Sequence, residues 1–262
     1  MSYETIQFEI AAGIGRLTLN RPERLNSFTT AMHAEVRDAL GLLVPGGARV
    51  LVLRGAGRAF CAGQDLNDRA VAPGSKPVDL GESIDRHYKP LMLALRTLPL
   101  PVIAAVNGVA AGAGANIALA CDIVIAARSA VFIQSFSKLG LVPDCGGTWT
   151  LPHLAGSARA MGLALLGDKL PAQQAADWGL IWRCVDDAEF DAAVDAVAAQ
   201  LATGPTRGLV RTKQAIHAAW GLPFEAALDN ERELQRELGA SSDYAEGVAA
   251  FAAKRAPRFT GS

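Results

Sequence analysis

Two continuous apolar runs, residues 50–53 and 102–106, each lead into a glycine-rich turn, and this repeat is the strongest constraint on the fold. Apolar runs without alternation are typical of strands buried on both faces of a parallel sheet. Apolar residues at helical spacing precede both runs. Alternating patterns at 5–10 and 16–20 predict an N-terminal hairpin. The sequence therefore predicts an α/β fold with a largely parallel sheet.

The pattern changes near residue 190, after which the apolar spacing is helical and no strand pattern interrupts it. We predict helices at 190–201, 206–219, 224–238 and 243–253. The chain is thus divided into an α/β core, 1–189, and a helical C-terminal region, 190–262. The apolar stripes of this region either pack back on the core or are covered by a partner. Residues 71–79 are predicted to form an exposed, flexible loop.

Charge and cysteine content exclude several functional classes. The 25 basic and 26 acidic residues give a net charge of −1, so no basic excess favours nucleic acid. The four cysteines have no spacing typical of metal ligands, and free thiols fit a reducing compartment. The apolar stretch 98–127 is interrupted by proline, glycine and aspartate, so it predicts no membrane span. With no signal-peptide pattern at the start, we expect a cytoplasmic protein without a metal site.

Asp144 is the most conspicuous candidate for chemistry, because it is the one carboxylate in the stretch 134–149 and lies among apolar residues such as Leu141, Val142 and Trp149. It lies between Pro143 and the pair Gly146-Gly147. Apolar surroundings disfavour the charged form of a carboxyl group and suit it to proton transfer. The alternative is that Asp144 is the N-cap of a helix that begins near Gly146. The stretch by itself leaves both interpretations open.

The two glycine-rich turns, at 61–66 and 108–116, are the second candidate site. N–H groups at the start of a helix have no intrahelical partner and point outwards. Two such turns side by side could stabilise a carbonyl oxygen that gains negative charge, which is an oxyanion hole. The alternative is that both are ordinary tight turns that allow close helix packing.

Five motifs in the same order along the chain resemble the crotonase (enoyl-CoA hydratase/isomerase) superfamily. They occupy residues 20–26, 59–66, 101–108, 120–123 and 139–148. The resemblance covers the whole chain and implies a spiral of ββα turns with a helical trimerisation region. It also implies an acyl-CoA substrate, no cofactor beyond the coenzyme A of that substrate, and assembly as a homotrimer or a dimer of trimers.

The resemblance assigns roles to particular residues. It implies that Gln64 and Ala113 supply the oxyanion-hole N–H groups and that Asp144 is the catalytic acid and base. The implied substrate-binding positions are Arg24, Ala62, Asp65, Leu66, Asn116, Phe136, Phe251 and Lys254. Arg24 and Lys254 resemble residues that meet the CoA phosphates, although surface charges are commonly just solvated. For Asp65 we favour a structural role as the partner of a helix dipole.

Two departures from the family pattern indicate the reaction. Hydratases of this family use two glutamates, and this chain has Asn116 and Phe136 at those positions. Neither residue can exchange protons with a water molecule, whereas one carboxylate suffices to move a proton between two carbons. The resemblance is strongest to members that convert an aromatic-ring epoxide, carried as a CoA thioester, into a seven-membered oxepin. The alternatives are a Δ3-Δ2-enoyl-CoA isomerase and a catalytically weak acyl-CoA-binding subunit of another enzyme.

Overall fold

The computed structural model describes residues 3–68 and 78–262, so residues 71–77 of the predicted loop lie outside the described part of the chain. The strands of the described residues are β1 Ile6–Ala11, β2 Ile14–Leu19, β3 Val50–Gly55, β4 Ala59–Cys61, β5 Val102–Val106, β6 Val109–Ala111, β7 Ile123–Ala127, β8 Val131–Ile133, β9 Lys169–Pro171 and β10 Arg183–Val185. The α-helices are α1 Thr30–Leu42, α2 Leu80–Ser83, α3 Lys89–Thr97, α4 Ala113–Leu119, α5 Gly147–Ala155, α6 Ser157–Leu166, α7 Ala172–Asp177, α8 Phe190–Thr203, α9 Thr206–Ala219, α10 Phe224–Gly239 and α11 Ser242–Ala252. A π-helical turn, Ile84–Tyr88, joins α2 to α3.

The strands form two sheets. The larger has the order β1-β2-β3-β5-β7-β10 and the smaller has the order β4-β6-β8-β9. In the larger sheet β1 and β2 are antiparallel and the remaining pairs are parallel, which confirms the predicted hairpin and parallel sheet. The hairpin turns at Ala12 and Gly13, whose φ angles of 51° and 76° match the positive values that a two-residue turn requires.

The continuous apolar runs are explained by the two faces of the larger sheet. In β3, Leu51 and Leu53 face the main core with α1, α3 and α4, whereas Val50 and Val52 face a second apolar cluster. Side chains alternate between the faces of a strand, so a strand covered on both sides is apolar throughout. The residues that cover the second face belong to α8 and are Phe190, Val194, Ala198 and Ala202.

The helical region predicted for 190–262 is therefore anchored on the sheet by its first helix. The next helix, α9, has the predicted bounds and sends Lys213 into the core, where its Nζ lies 2.9 Å from Asp122. The last strand, β10, begins only at Arg183. Leu180 donates its N–H to the Ala175 carbonyl at 2.9 Å and closes α7 instead of pairing with the sheet.

Candidate active site

The backbone at Gln64 is held by a short parallel bridge to Phe28. Phe28 donates its N–H to the Gly63 carbonyl at 2.7 Å, and Asp65 donates to the Phe28 carbonyl at 2.9 Å. These bonds fix the chain on either side of Gln64. Among the residues that the structure describes, the N–H of Gln64 itself forms no backbone hydrogen bond outside helices and strands. The bridge thus sets the direction of this N–H group.

Ala113 is the first residue of α4, a position whose N–H has no intrahelical acceptor. Gly112 precedes it with φ 53° and donates its own N–H to the Ile133 carbonyl of β8 at 2.8 Å. The positive φ turns the chain sharply from β6 into α4. This turn confirms the predicted arrangement of a glycine-rich segment that opens a helix.

The two glycine-rich turns lie directly against each other. A β-carbon placed on Gly63 would lie 3.3 Å from the Ala113 nitrogen and 3.0 Å from the Ala111 oxygen. A β-carbon on Gly114 would collide with the Cys61 carbonyl. Glycine is therefore required where the turns meet. The arrangement brings the Ala113 N–H next to the segment that carries the Gln64 N–H, as an oxyanion hole requires.

The side chain of Gln64 is anchored as well. The Tyr88 hydroxyl donates to Gln64 Oε1 at 2.9 Å, and Gln64 Nε2 donates to the Asp65 carbonyl at 3.2 Å. Tyr88 is only 1% exposed and comes from the π-helical turn. In the sequence, Tyr88 is one of the apolar residues at helical spacing that precede the second apolar run. Its role was missed because nothing in the local pattern shows what its hydroxyl reaches.

Asp144 does not cap the following helix. The N-cap of α5 is Gly146 at φ 75°, two residues after Asp144. The capping interpretation is therefore wrong. One carboxylate oxygen of Asp144, Oδ1, is buried. Cys145 also has a positive φ of 51°, so two successive left-handed residues turn the chain away from Asp144.

The backbone of Asp144 is tied to α4 through Asn116. Asn116 Nδ2 donates to the Asp144 carbonyl at 2.8 Å, and Gln134 Nε2 donates to Asn116 Oδ1 at 2.8 Å. Asn116 lies three residues after Ala113 on α4, a separation of about 4.5 Å along the helix axis. The carboxylate-bearing turn is thus fixed about one helical turn from the candidate oxyanion hole.

An apolar cavity of about 430 Å³ opens beside this turn. Its lining residues include Tyr88, Met92, Leu93, Arg96, Cys145 and Trp149. Tyr88 links the cavity to Gln64, and Cys145 links it to Asp144. The cavity is large and apolar enough to hold an acyl or aromatic group close to both functional elements.

The enoyl-CoA hydratase/isomerase family profile matches residues 9–262. The chain belongs to the enoyl-CoA hydratase/isomerase family. It is 57% identical over 259 residues to the 1,2-epoxyphenylacetyl-CoA isomerase of Escherichia coli K12, covering 98% of this chain and 99% of that protein. It is also 51% identical over 261 residues to a Rhodobacter capsulatus protein named "Probable enoyl-CoA hydratase", with full coverage of both chains. An enoyl-CoA hydratase structure from Bacillus anthracis superposes with a TM-score of 0.90 at 32% identity, covering 99% and 100% of the two chains.

Membership of the enoyl-CoA hydratase/isomerase family confirms the resemblance and the fold that it implied. The resemblance places the glutamates of the hydratases at positions 116 and 136, and both side chains are buried here. Asn116 is 2% exposed and Phe136 is 7% exposed. A β-carbon on Gly112 would lie 3.8 Å from Phe136 Cζ, so the phenyl ring packs behind the turn that opens α4. Neither position provides a group that exchanges protons near neutral pH.

The remaining residues around the first glycine turn have structural partners. Asp65 accepts from Arg21 at 2.9 Å and from the Asn67 N–H at 3.0 Å. Burial acts to raise the pKa of Asp65, but these hydrogen bonds and the Arg21 charge outweigh it and hold the pKa below its usual value. Ala62 is half-buried, and Leu66 is exposed at the mouth of the turn.

The predicted CoA-binding residues lie on the surface. Arg24 is exposed in a short 3-10 helix, and Lys254 is exposed just after α11. Phe251 is 87% exposed and lines a separate cavity of about 460 Å³ formed by the tail. Among the described residues, no hydrogen bond or ion pair joins these three side chains to Gln64 or Ala113.

The cysteine nearest the candidate oxyanion hole is a packing residue. Burial raises the pKa of the Cys61 thiol to about 12, so it is protonated at neutral pH. In residues 3–68 and 78–262, no group of three His, Cys, Asp or Glu side chains is placed to hold a metal ion. Within the same residues, no helix combines the length and the apolar character needed to cross a bilayer.

Proposed function

We propose that this chain is an acyl-CoA isomerase that converts ring 1,2-epoxyphenylacetyl-CoA into the oxepin-CoA thioester. It would also shift double bonds in related unsaturated acyl-CoAs. The observation that carries the proposal is the position of Asp144. Its turn lies between an apolar cavity and the helix that supplies the Ala113 N–H, while Asn116 and Phe136 replace the glutamates of the hydratases.

The thioester carbonyl would accept hydrogen bonds from the N–H groups of Gln64 and Ala113. Removing a proton next to a thioester places negative charge on this oxygen. Preorganised N–H donors stabilise that charge, and the positive end of the α4 dipole adds to the effect. The proton next to the carbonyl becomes more acidic as a result.

Asp144 would move the proton. Its carboxylate takes a proton from one carbon of the bound thioester and returns it to another carbon of the same conjugated system. In the ring epoxide, the carbon–carbon bond shared by the epoxide and the six-membered ring breaks, and its electrons join the ring double bonds. The oxygen becomes a member of a seven-membered ring, and no atom is gained or lost.

Hydration is disfavoured by the same residues. Adding water to a double bond requires groups that hold the water, remove its proton and supply a proton to carbon. Asn116 and Phe136 cannot supply this pair of functions. We therefore infer isomerisation and not hydration for this chain, in contrast to the name of the Rhodobacter capsulatus relative.

We infer that Arg24 and Lys254 bind the CoA phosphates, with Phe251 completing the site, and that no cofactor is needed. Ala62, Asp65 and Leu66 would border the thioester. We infer a homotrimer or a dimer of trimers, as the resemblance implies, and the exposed apolar side chains of the tail support an interface there; these are Phe224, Leu228, Val248 and Phe251. We infer a cytoplasmic location from the four free cysteines.

A second candidate is a Δ3-Δ2-enoyl-CoA isomerase. It is favoured by the cavity of about 430 Å³, whose apolar lining would suit a straight acyl chain as well as a ring. Both activities would use Asp144 in the same way. A weak acyl-CoA-binding subunit without turnover is the remaining alternative.

The deciding experiment is turnover by the purified chain alone. Ring 1,2-epoxyphenylacetyl-CoA and a straight-chain 3-enoyl-CoA are offered separately, and the products are identified by NMR because isomerisation leaves the mass unchanged. We expect a higher kcat/KM for the ring epoxide. A higher value for the straight chain would establish the second candidate, and no turnover of either substrate would establish the binding subunit.

A further inference from the structure

The side-chain amide of Asn116 forms hydrogen bonds inside the protein. Asn116 is 2% exposed, and its amide bridges two segments that are distant in sequence. Its Nδ2 donates to the Asp144 carbonyl at 2.8 Å, and its Oδ1 accepts from Gln134 Nε2 at 2.8 Å. Gln134 is 3% exposed at the end of β8. The chain of hydrogen bonds therefore runs from β8 through α4 to the turn before α5.

The turn at residues 144–147, which accepts this hydrogen bond, has an unusual backbone conformation. Cys145 at φ 51° and Gly146 at φ 75° are both left-handed, and the first of these has a side chain. A non-glycine residue persists in that region only where its surroundings fix it. The Asp144 carbonyl accepts twice, from the Gly147 N–H at 2.9 Å and from Asn116. The first bond lies within the turn, and the second ties the turn to α4.

Gly147 shows that the fit between Asn116 and the turn is close. A β-carbon on Gly147 would collide with the Asn116 amide. Gly147 has an ordinary negative φ, so its backbone conformation does not require glycine. The side chain of Asn116 occupies the space that any larger residue at 147 would need.

We propose that Asn116 and Gln134 are positioning residues, which hold the turn so that the Asp144 carboxylate keeps its position. Asn116 thus acts through the Asp144 backbone and not on substrate or water. The inference rests on the proposed role of Asp144. It replaces the substrate-binding role predicted for Asn116 from the sequence.

The kinetic test is a double-mutant cycle of Asn116→Ala and Asp144→Asn, assayed with the ring epoxide. Asn116→Ala should lower kcat by about a hundredfold with KM within a few-fold, as expected when a reacting group is misplaced by about 1 Å. In the Asp144→Asn background the same change should have no further effect on kcat. The proposal would be overturned if Asn116→Ala lowered kcat by the same factor in both backgrounds. It would also be overturned if Asn116→Ala alone left kcat unchanged.

A second readout needs no catalytic activity. The alkylation rate of Cys145, mapped by mass spectrometry, reports opening of the turn. It should rise about tenfold in Asn116→Ala and in Gln134→Leu, which is the effect of losing roughly one hydrogen bond. The buried Cys61 and Cys121 are internal controls, whose rates should stay as in the wild type because the fold is intact.

Turnover of the ring epoxide and alkylation of Cys145 test the proposed function and the positioning role separately. If the wild type does not turn over the ring epoxide but Cys145 responds as expected, the proposed function fails and the anchoring of the turn stands. If the wild type is active and Cys145 reacts equally in all variants, the positioning role is wrong. Gln134→Leu leaves α4 unchanged, so it tests the proposal even if Asn116→Ala fails to fold.

Discussion

Lys213 Nζ lies 2.9 Å from Asp122 Oδ2, although one residue belongs to the helical tail and the other to the loop that leads into β7. The same ammonium group donates to the Leu95 carbonyl at 3.0 Å. The same carboxylate oxygen accepts from the Val102 N–H at 2.8 Å. Both side chains are largely buried, so the pair ties α9 to the sheet within a water-poor environment.

We therefore predict that Lys213→Met destabilises the protein by about 3–5 kcal/mol, because it leaves a buried carboxylate without its cation. Urea unfolding followed by circular dichroism measures the effect. Adding Asp122→Asn to the same chain should recover more than half of the loss, since the amide oxygen still accepts from Val102. A single-variant cost below about 1 kcal/mol, the range of exposed ion pairs, would contradict the role of this pair.

Asp144→Asn should keep the fold and CoA binding but lower the isomerisation rate by about a hundredfold to ten-thousandfold, the usual contribution of general acid–base catalysis. Isothermal titration with CoA and steady-state kinetics measure the two effects. Asp187→Asn is the matched control, since Asp187 accepts from the Ser129 N–H in an exposed loop. Activity of Asp144→Asn within a few-fold of the wild type would show that Asp144 does not transfer the proton.

Hydration of crotonyl-CoA should stay at the background rate, because Asn116 and Phe136 cannot deprotonate and hold water. The loss of enoyl absorbance measures this rate, and the Asp144→Asn variant gives the background. A wild-type hydration rate close to its isomerisation rate would mean that Asp144 serves both reactions.

His217 should make stability depend on pH below neutrality. Burial, followed by the charges of Arg96 and Lys213, lowers the pKa of His217 from 6.5 to about 4. The folded state therefore favours the neutral imidazole, and this stabilisation is present above pH 6.5 and lost as the pH falls towards 4. The urea midpoint should fall between pH 7 and pH 5, and it should fall less in His217→Gln. If the urea midpoint fell equally in the wild type and in His217→Gln, the lowered pKa of His217 would be contradicted.

The tail should mediate self-association. Phe224 is 79% exposed and Phe251 is 87% exposed, and large exposed apolar side chains usually mark an interface. Light scattering should give three or six times the 27.4 kDa of one chain. Phe251→Asp should lower that mass, whereas Arg232→Ala, which removes an exposed ion pair within α10, should leave it unchanged. A wild-type mass near 27.4 kDa would refute the assembly.

The elements that sequence analysis located correctly are those whose own pattern is decisive. The run at 50–53 is apolar on both strand faces, and α9 follows a clear helical period, so both were found. The strands Ala59–Cys61 and Val109–Ala111 were missed because each has only three residues and neither gives a measurable period. Their pairing depends on the larger sheet, which brings the two glycine-rich turns together.

The candidate site was predictable in its backbone and not in its side-chain contacts. Glycines around Gln64 and Ala113 indicated turns, and the structure shows that these turns meet. The hydrogen bond from Asn116 to the Asp144 carbonyl could not be predicted, because it depends on the direction of a side chain across 28 residues of chain. The capping interpretation of Asp144 failed because Gly146 takes the N-cap position with a left-handed conformation.

The hydrogen bond from Tyr88 to Gln64 has a consequence for changing the substrate range of this enzyme. The helical segment that carries Tyr88 also provides Met92 and Leu93 to the wall of the apolar cavity. A redesign that reshapes this wall to admit a longer or bulkier substrate also moves the support of Gln64. The shape of the cavity and the position of Gln64 are therefore coupled through Tyr88, whereas Trp149 lines the same cavity from α5, so substitutions there change the cavity without altering the segment that carries Tyr88.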